Sequence, residues 1–340
     1  MANTQLSAVS HSLTIVMKKW IKPINLAGLI IILAILPLFI NSNYTLHILI
    51  LTFVWIVAAA SLRTITLTGQ FPMAHAGFMG IGAYVAGMSS RWLDWPPWIT
   101  IPLGAVVAGG LGMLIGYPFS RLRAIYYALG SLFFGAALGS VLQAGGLATG
   151  GQMGLIGVHP IFTGTDKLPY YYLFLGLTIV ILVALYSFES SRIGMNWRAV
   201  NQSHLLASSV GINERWNRIL AVGVGSFFVG LIGAAFAHYN RVVVPSQFDL
   251  NALLWIVMYM LVGGAKSFAG PIIGAPILFL IPELFFRDLR SYSPFIPAII
   301  LIIFVYTMPQ GLVGLALKIR SLYISRKNKV RKKTETIHAA

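Results

Sequence analysis

Long apolar runs separated by short polar segments occupy most of the chain. Runs near 24–41, 44–62, 74–90, 98–118, 124–146, 169–188, 218–239, 250–265, 269–286 and 295–312 stand out. A bilayer-crossing helix needs about 20 mostly apolar residues. The pattern therefore predicts an all-α, polytopic membrane protein of about ten transmembrane helices. It forms one transmembrane domain over 1–340, embedded across about 24–312. The third and eighth runs are the shortest or most broken. One polar interruption, 189–217, is too polar to span, and a basic tail covers 318–340.

Composition agrees with the pattern. Hydrophobic residues make up 57% of the 340-residue chain and charged residues 9%, against roughly 25% charged in a soluble domain. There is no cysteine, so no disulfide framework, thiol nucleophile or cysteine metal site is possible. The net charge of +16 raises nucleic acid as a partner. The basic residues lie between the spans and in the tail, however, and no aromatic interleaves Arg326-Lys327-Asn328-Lys329-Val330-Arg331-Lys332-Lys333. That cluster reads as a cytoplasmic end close to membrane lipid, with no nucleic acid implied. Lys18, Lys19 and Lys22 precede an apolar run as in a signal peptide, but no small-residue cleavage pattern follows Leu38-Phe39-Ile40-Asn41. An uncleaved first span is expected.

Lysine and arginine set the orientation. With the N-terminus inside, only Arg91, Lys167, Arg241, Arg287 and Arg290 of the 24 basic residues fall outside. Both termini are then cytoplasmic, and 189–217 faces the cytoplasm. Spans two to five and seven to ten run in opposite directions, which permits an inverted repeat. The pairs Gly112 and Gly116, Gly135 and Gly139, and Ser226 and Gly230 have the spacing that lets helix backbones approach.

The eight acidic residues bear on the energy source. Seven fall in predicted loops, span ends or the tail, and only Glu283 is placed within a span, near its outer end. Ion-coupled carriers usually keep ionisable groups inside the bundle, so an ion-coupled secondary transporter is the weaker alternative. Gly263-Gly264-Ala265-Lys266-Ser267 lacks the spacing of a phosphate loop and reads as a turn between spans. The chain has no nucleotide site of its own and binds no cofactor by this reading. ATP, if used, is used by partner subunits. A passive channel for urea-like solutes is a further alternative. His47 and His238 read as hydrogen-bonded residues near span ends, and no histidine pair has metal-ligand spacing.

Two segments carry candidate function. From Gly69 to Tyr84 an apolar region holds an amide, a proline, an imidazole and four glycines. Irregular backbone at membrane depth must line a cavity or be buried in protein, and interrupted helices mark transporter pathways. Gln70, His75, Gly77, Gly80 and Gly82 are the candidate substrate-pathway residues, against the alternative of a glycine-rich packing site with a buried structural histidine. In the second segment, Asn196 reads as a helix N-cap and Gly211 as its C-terminal cap, with Asn213 capping the next helix. A short cytoplasmic helix is expected there.

The pattern GQ-x4-HA-x-F-x-GIGAY at 69–84 resembles the LivM-type permease subunits of branched-chain amino-acid ABC importers and their urea and amide relatives. Phe71-Pro72 and Ala74 depart from the usual Leu-Ser and Gly. Thr149-Gly150-Gly151-Gln152-Met153-Gly154-Leu155 resembles the family's outer loop. Val262 to Ala275 with Ile281-Pro282-Glu283 resembles its GP-x-x-GA…PE signature, departing at Ala265 and Lys266. Met308-Pro309-Gln310-Gly311-Leu312 resembles the end of its last span. Trp197-Arg198-Ala199-Val200 through Gly211-Ile212-Asn213 resembles its cytoplasmic coupling loop, without the acidic residue before Asn201-Gln202. The resemblance runs from about 45 to 315. It implies ATPase coupling through Arg198, Asn201, Gln202, Gly211 and Asn213. It also implies a homologous second permease, two cytoplasmic ATPase subunits, an extracytoplasmic substrate-binding protein and a bacterial inner-membrane location. The implied cargo is a branched-chain or other small amino acid, with urea, short amides or aromatic acids as the nearest alternative.

Overall fold

The computed structural model describes residues 28, 31–39, 42–122, 124–164, 166–280, 282–283, 311–312 and 314. The tail at 318–340, and the tenth expected span up to residue 310, lie outside the described residues. In chain order the helices are α1 (Asn43–Thr66), α2 (His75–Leu93), α3 (Pro97–Phe119), α4 (Ala124–Ala144), α5 (Leu168–Ser190), α6 (Arg192–Gln202), α7 (His204–Ser209), α8 (Glu214–Asn240), α9 (Leu250–Gly263) and α10 (Ala269–Ala275). Six apolar helices among the described residues are long enough to cross a membrane: α1, α3, most of α4, α5, α8, and α9 with the turn before it. The chain is thus a multi-pass, all-α membrane protein. Helix is the expected form, because a span in hydrocarbon must satisfy its backbone bonds within itself.

Local signals set the ends. Ser42 caps α1 and Pro97 opens α3, where a missing N–H costs nothing. The Asn213 side chain accepts from the Trp216 N–H at the start of α8, and Asp249 accepts from Asn251 and Ala252 at the start of α9. The stretch 264–268 is a turn, as its sequence suggests.

The core is built around α1, α2 and α8. α8 packs along α3 and α2, while α5, α9 and α10 pack on α1. Of the most apolar windows, 78% of α1 and of α8 is buried but only 11% of α4. α4 instead shows Ile125, Tyr126, Leu129 and Phe133 outward, a surface suited to hydrocarbon rather than water. Small residues let the core helices close up. A Cβ on Gly112 would meet Ser226 Oγ at 2.5 Å, and one on Gly230 would meet Ala108 at 2.3 Å. Gly139 has open space beside it, so that half of its pair does no packing here.

Residues assigned to opposite sides by the charge count gather at opposite ends. One end, here the basic end, brings together Arg63, Arg198 and Lys266, and Arg218 donates to the Ser120 carbonyl. The other, the strand end, carries a two-stranded antiparallel sheet that the hydropathy pattern does not announce. In it Leu155 of β1 (Leu155–Ile156) faces Val243 of β2 (Val242–Val243). Arg91 donates to the Ile156 carbonyl there. His238 Nδ1 lies 2.7 Å from the His159 carbonyl and Nε2 lies 2.7 Å from Thr100 Oγ1. The carbonyl can only accept, so Nδ1 donates and Nε2 accepts the threonine hydroxyl. His47 Nδ1 lies 2.6 Å from the Tyr239 hydroxyl. Both histidines hydrogen-bond neighbours near helix ends, as expected.

Candidate functional site

The interrupted segment lies at the basic end. α1 stops at Thr66, the chain turns through Gly69 at φ +80°, and α2 starts at His75. Between them the Met73 N–H is held by Ser131 Oγ of α4 at 2.9 Å. Gln70 is buried, and its Oε1 has no partner among the described residues. His75 is fully buried. Its Nε2 lies 3.0 Å from Ser61 Oγ and 3.2 Å from the Ala58 carbonyl. The Ala58 carbonyl can only accept, so Nε2 carries the proton and the ring ties α2 to α1. Nδ1 has no partner among the described residues. Beside Pro72, Ala74 and Phe78 lies a crevice of about 10 Å³, the room of a single water at most.

The three candidate glycines of α2 meet three different elements. Gly77 faces Leu138 of α4, and Gly80 faces Phe248 in the turn before α9. Gly82 is the tightest: a Cβ there would lie 2.1 Å from the Gly230 carbonyl oxygen of α8. Only at Gly82 is the neighbour backbone at close range; Gly77 and Gly80 are approached first by side chains.

The polar segment 189–217 folds differently from its sequence-based expectation. Asn196 is not a cap but lies inside α6. Ser191 caps α6 instead, accepting from the Ile193 N–H at 3.2 Å. The helix starts that early because Gly194 lets it fold back onto α5, where a Cβ would strike the Glu189 carbonyl at 2.2 Å. Gly194, Trp197 and Val200 then form a buried stripe at helical spacing. Ser203 breaks the expected single helix in two and caps α7. Gly211 does end α7, at φ +82°. There the Ile212 N–H reaches the Ala207 carbonyl and the Gly211 N–H the Ser208 carbonyl, both at 3.0 Å, a Schellman-type closure. Leu205, Leu206 and Val210 are exposed on α7 and its end. A groove of about 570 Å³ lies beside them, lined by Arg121, Ser208, Asn213, Glu214 and Arg215 among others.

The two candidate segments touch. A Cβ on Gly69 would lie 2.7 Å from Asn201 Oδ1, so the loop before Gln70 rests on the last turn of α6. Arg198 does not point to solvent alone. Its Nη2 donates to the Glu189 carboxylate at 3.1 Å and to the Glu189 carbonyl at 2.9 Å. Glu189 also takes both Nη1 and Nη2 of Arg63, at 2.6 and 3.0 Å. Arg63 further donates Nε to the Ala265 carbonyl at 2.9 Å and lies over the Phe268 ring. Gln202 is exposed at the end of α6.

Residues 44–305 match the family model described as the branched-chain amino acid transport system / permease component. The chain belongs to that family. It is similar to the high-affinity branched-chain amino acid transport system permease protein LivM of Escherichia coli (strain K12), at 26% identity over 84% of this chain and 73% of that protein. The LivM protein of Salmonella typhimurium (strain LT2) is 25% identical, over 86% of this chain and 76% of its own length. No solved structure matches the chain.

The chain is therefore a permease subunit of an ABC importer, a transport component rather than an enzyme, and it works with other subunits. In this permease the buried Arg63–Glu189 ion pair beside the candidate segments is a feature that the sequence does not announce. By sequence Arg63 is one of the cytoplasmic basic residues and Glu189 one of the acidic residues at the edge of 189–217. The available signal was their position: unlike charges at the ends of two spans that both finish at the basic end.

Proposed function

We propose that this permease lines the translocation pathway of an ATP-driven importer for branched-chain or other small amino acids. The cargo reading rests on the family match over 44–305 and on the transport system named for the two LivM relatives. The partners are a homologous second permease, two cytoplasmic ATPase subunits that hydrolyse the ATP, and an extracytoplasmic substrate-binding protein. The basic end faces the cytoplasm of a bacterial inner membrane, in keeping with the charge asymmetry, and both termini lie on that side. Ligands shift a conformational equilibrium only through differential affinity, so selectivity rests largely with the binding protein.

Within this scheme α6 and α7 are the coupling element. The supporting observation is that 189–217 is folded, capped by Ser191, Ser203 and Gly211, and presents Leu205, Leu206 and Val210 outward. A rigid element transmits a push that a loose linker would absorb. Gln70 and His75 lie beside the pathway in this reading, each with a buried polar atom left without a partner among the described residues. The test is reconstitution in vesicles. The permease alone should neither hydrolyse ATP nor accumulate leucine. With its partner subunits and ATP inside, it should concentrate leucine even when an ionophore has collapsed ion gradients. Ion-driven accumulation by the purified chain alone would overturn the proposal. Uptake of urea or acetamide in place of leucine by the full complex would overturn the cargo.

A further inference from the structure

The family reading assigns the coupling segment, but it does not say how a push on α6 reaches the helices that surround the interrupted segment. The charged cluster at the α5–α6 corner offers an answer. Glu189 holds three elements at once through its two carboxylate oxygens: α1 through Arg63, α6 through Arg198 and, by way of Arg63, the turn at 264–268. The two arginines differ in a way that matters. The Arg63 side chain is 2% exposed and its guanidinium is engaged at all three nitrogens. That pair is a fixed anchor. The Arg198 side chain is 45% exposed and reaches Glu189 through Nη2 alone. A half-exposed side chain held through one nitrogen is one that a competing carboxylate or water can displace at low cost.

We infer that the Arg63–Glu189–Arg198 cluster is the joint between the coupling helix and the transport core, with Arg198 as its exchangeable half. Pushing on α6 lengthens or breaks the Arg198 contact. The fixed Arg63–Glu189 pair passes the displacement of the corner to α1 and to the turn before α10. Arg63 lies only two residues from Ser61, which holds His75 at the start of α2. The Asn201 contact with Gly69 provides a second, direct touch on the same interrupted segment. Arg63, Glu189 and Arg198 act as positioning residues and contact no cargo in this scheme. The inference rests on α6–α7 being the ATPase-coupling element.

The experiment uses the complete importer in vesicles and reads leucine taken up per ATP hydrolysed. Arg198→Gln keeps a donor but no charge, and Arg198→Lys keeps the charge. The joint predicts that Arg198→Gln lowers the ratio about tenfold, an ordinary size for a coupling effect, with ATP hydrolysis little changed. Arg198→Lys should restore most of it. Arg63→Lys should also lower the ratio, because a point charge cannot hold both Glu189 oxygens and the Ala265 carbonyl together. Combining Glu189→Gln with Arg198→Gln should lower the ratio no further than the worse of the two single variants, as residues acting in one network do. Gly211→Val, which distorts the exit of α7, separates the two readings. If Gly211→Val uncouples and the Arg198 and Arg63 variants do not, the joint is wrong and the coupling element stands. If Gly211→Val leaves the ratio normal, the coupling element is wrong and the joint falls with it. A proportional loss of uptake and hydrolysis in Arg198→Gln, tracking loss of assembled complex, makes the contact merely structural and also overturns the inference.

Discussion

The seam between α2 and α8 and the corner between α5 and α6 are both tightly packed, yet they are held by opposite means. At the seam, backbone meets backbone: Gly82 approaches Gly230 so closely that no Cβ fits. At the corner a backbone approach also occurs, at Gly194, but the elements are tied by charge, with one carboxylate shared between two arginines. A glycine seam has one arrangement, because any slide brings a side chain into the gap. A charge pair with a half-exposed member has at least two, since the exposed partner can exchange. The seam therefore suits a rigid body and the corner suits a joint.

Substitutions at both places sharpen this contrast. Glu189→Ala should have the largest effect on stability, since it leaves the buried Arg63 charge without its carboxylate. Breaking a buried pair from one side costs about 3–5 kcal/mol, readable as a lower thermal midpoint of the detergent-solubilised protein. Arg198→Ala, which removes the half-exposed partner of the same carboxylate, should cost no more than about 1 kcal/mol. Equal losses from the two would erase the distinction between anchor and exchangeable half.

Gly82→Val should come next, at about 1–3 kcal/mol from overpacking. Unlike the corner variants, it should lower uptake and ATP hydrolysis together, through loss of assembled complex. His75→Ala removes the tie between α2 and α1 and should cost about 1–3 kcal/mol for the lost hydrogen bond and the space left by the buried ring, since Ser61 keeps the Val57 and Ala58 carbonyls as acceptors. If His75 also lies beside the pathway, leucine uptake should fall in the fraction of complexes that still assemble, measured per assembled complex. Unchanged uptake per complex would leave His75 a structural residue only. Gly211→Ala should be as mild as Arg198→Ala, about 1 kcal/mol for a Cβ in the left-handed region. Space is open around it, so strain in the backbone is the whole of the effect.

Much of this arrangement is legible in the sequence. Apolar runs predict the spans because a helix in lipid has few alternatives, and the six described helices long enough to cross a membrane start and stop within about four residues of the expected ends. Gly211 and Asn213 could be assigned as caps because their chemistry is local: a left-handed turn and a side-chain acceptor three residues before a free N–H. Sequence alone does not separate Asn196 from Ser191 as the cap, because several polar side chains in that stretch can cap. What decides for Ser191 is the fold-back of Gly194 onto Glu189, a contact between elements. The same holds for the pairing of Arg63 with Glu189, 126 residues apart, and for the strand pair at the other end. Charge at a span end shows in the sequence, but its partner is chosen by packing. Likewise the glycines of α2 could be read as sites of close approach, while their three separate partners could not.

If the ATPase subunits act on this permease through α6 and α7, their docking should change the accessibility of a cysteine placed there. The chain has no cysteine, so Leu205→Cys on the exposed face of α7 gives a single labelling site. In the complete importer, maleimide should label this position slowly with the ATPase subunits bound and rapidly after they are stripped, with the rate changing again on adding ATP. Met153→Cys, exposed at the opposite end, should label at the same rate whether or not they are bound. Rapid labelling of Leu205→Cys regardless of the ATPase subunits would mean that they act on the permease elsewhere.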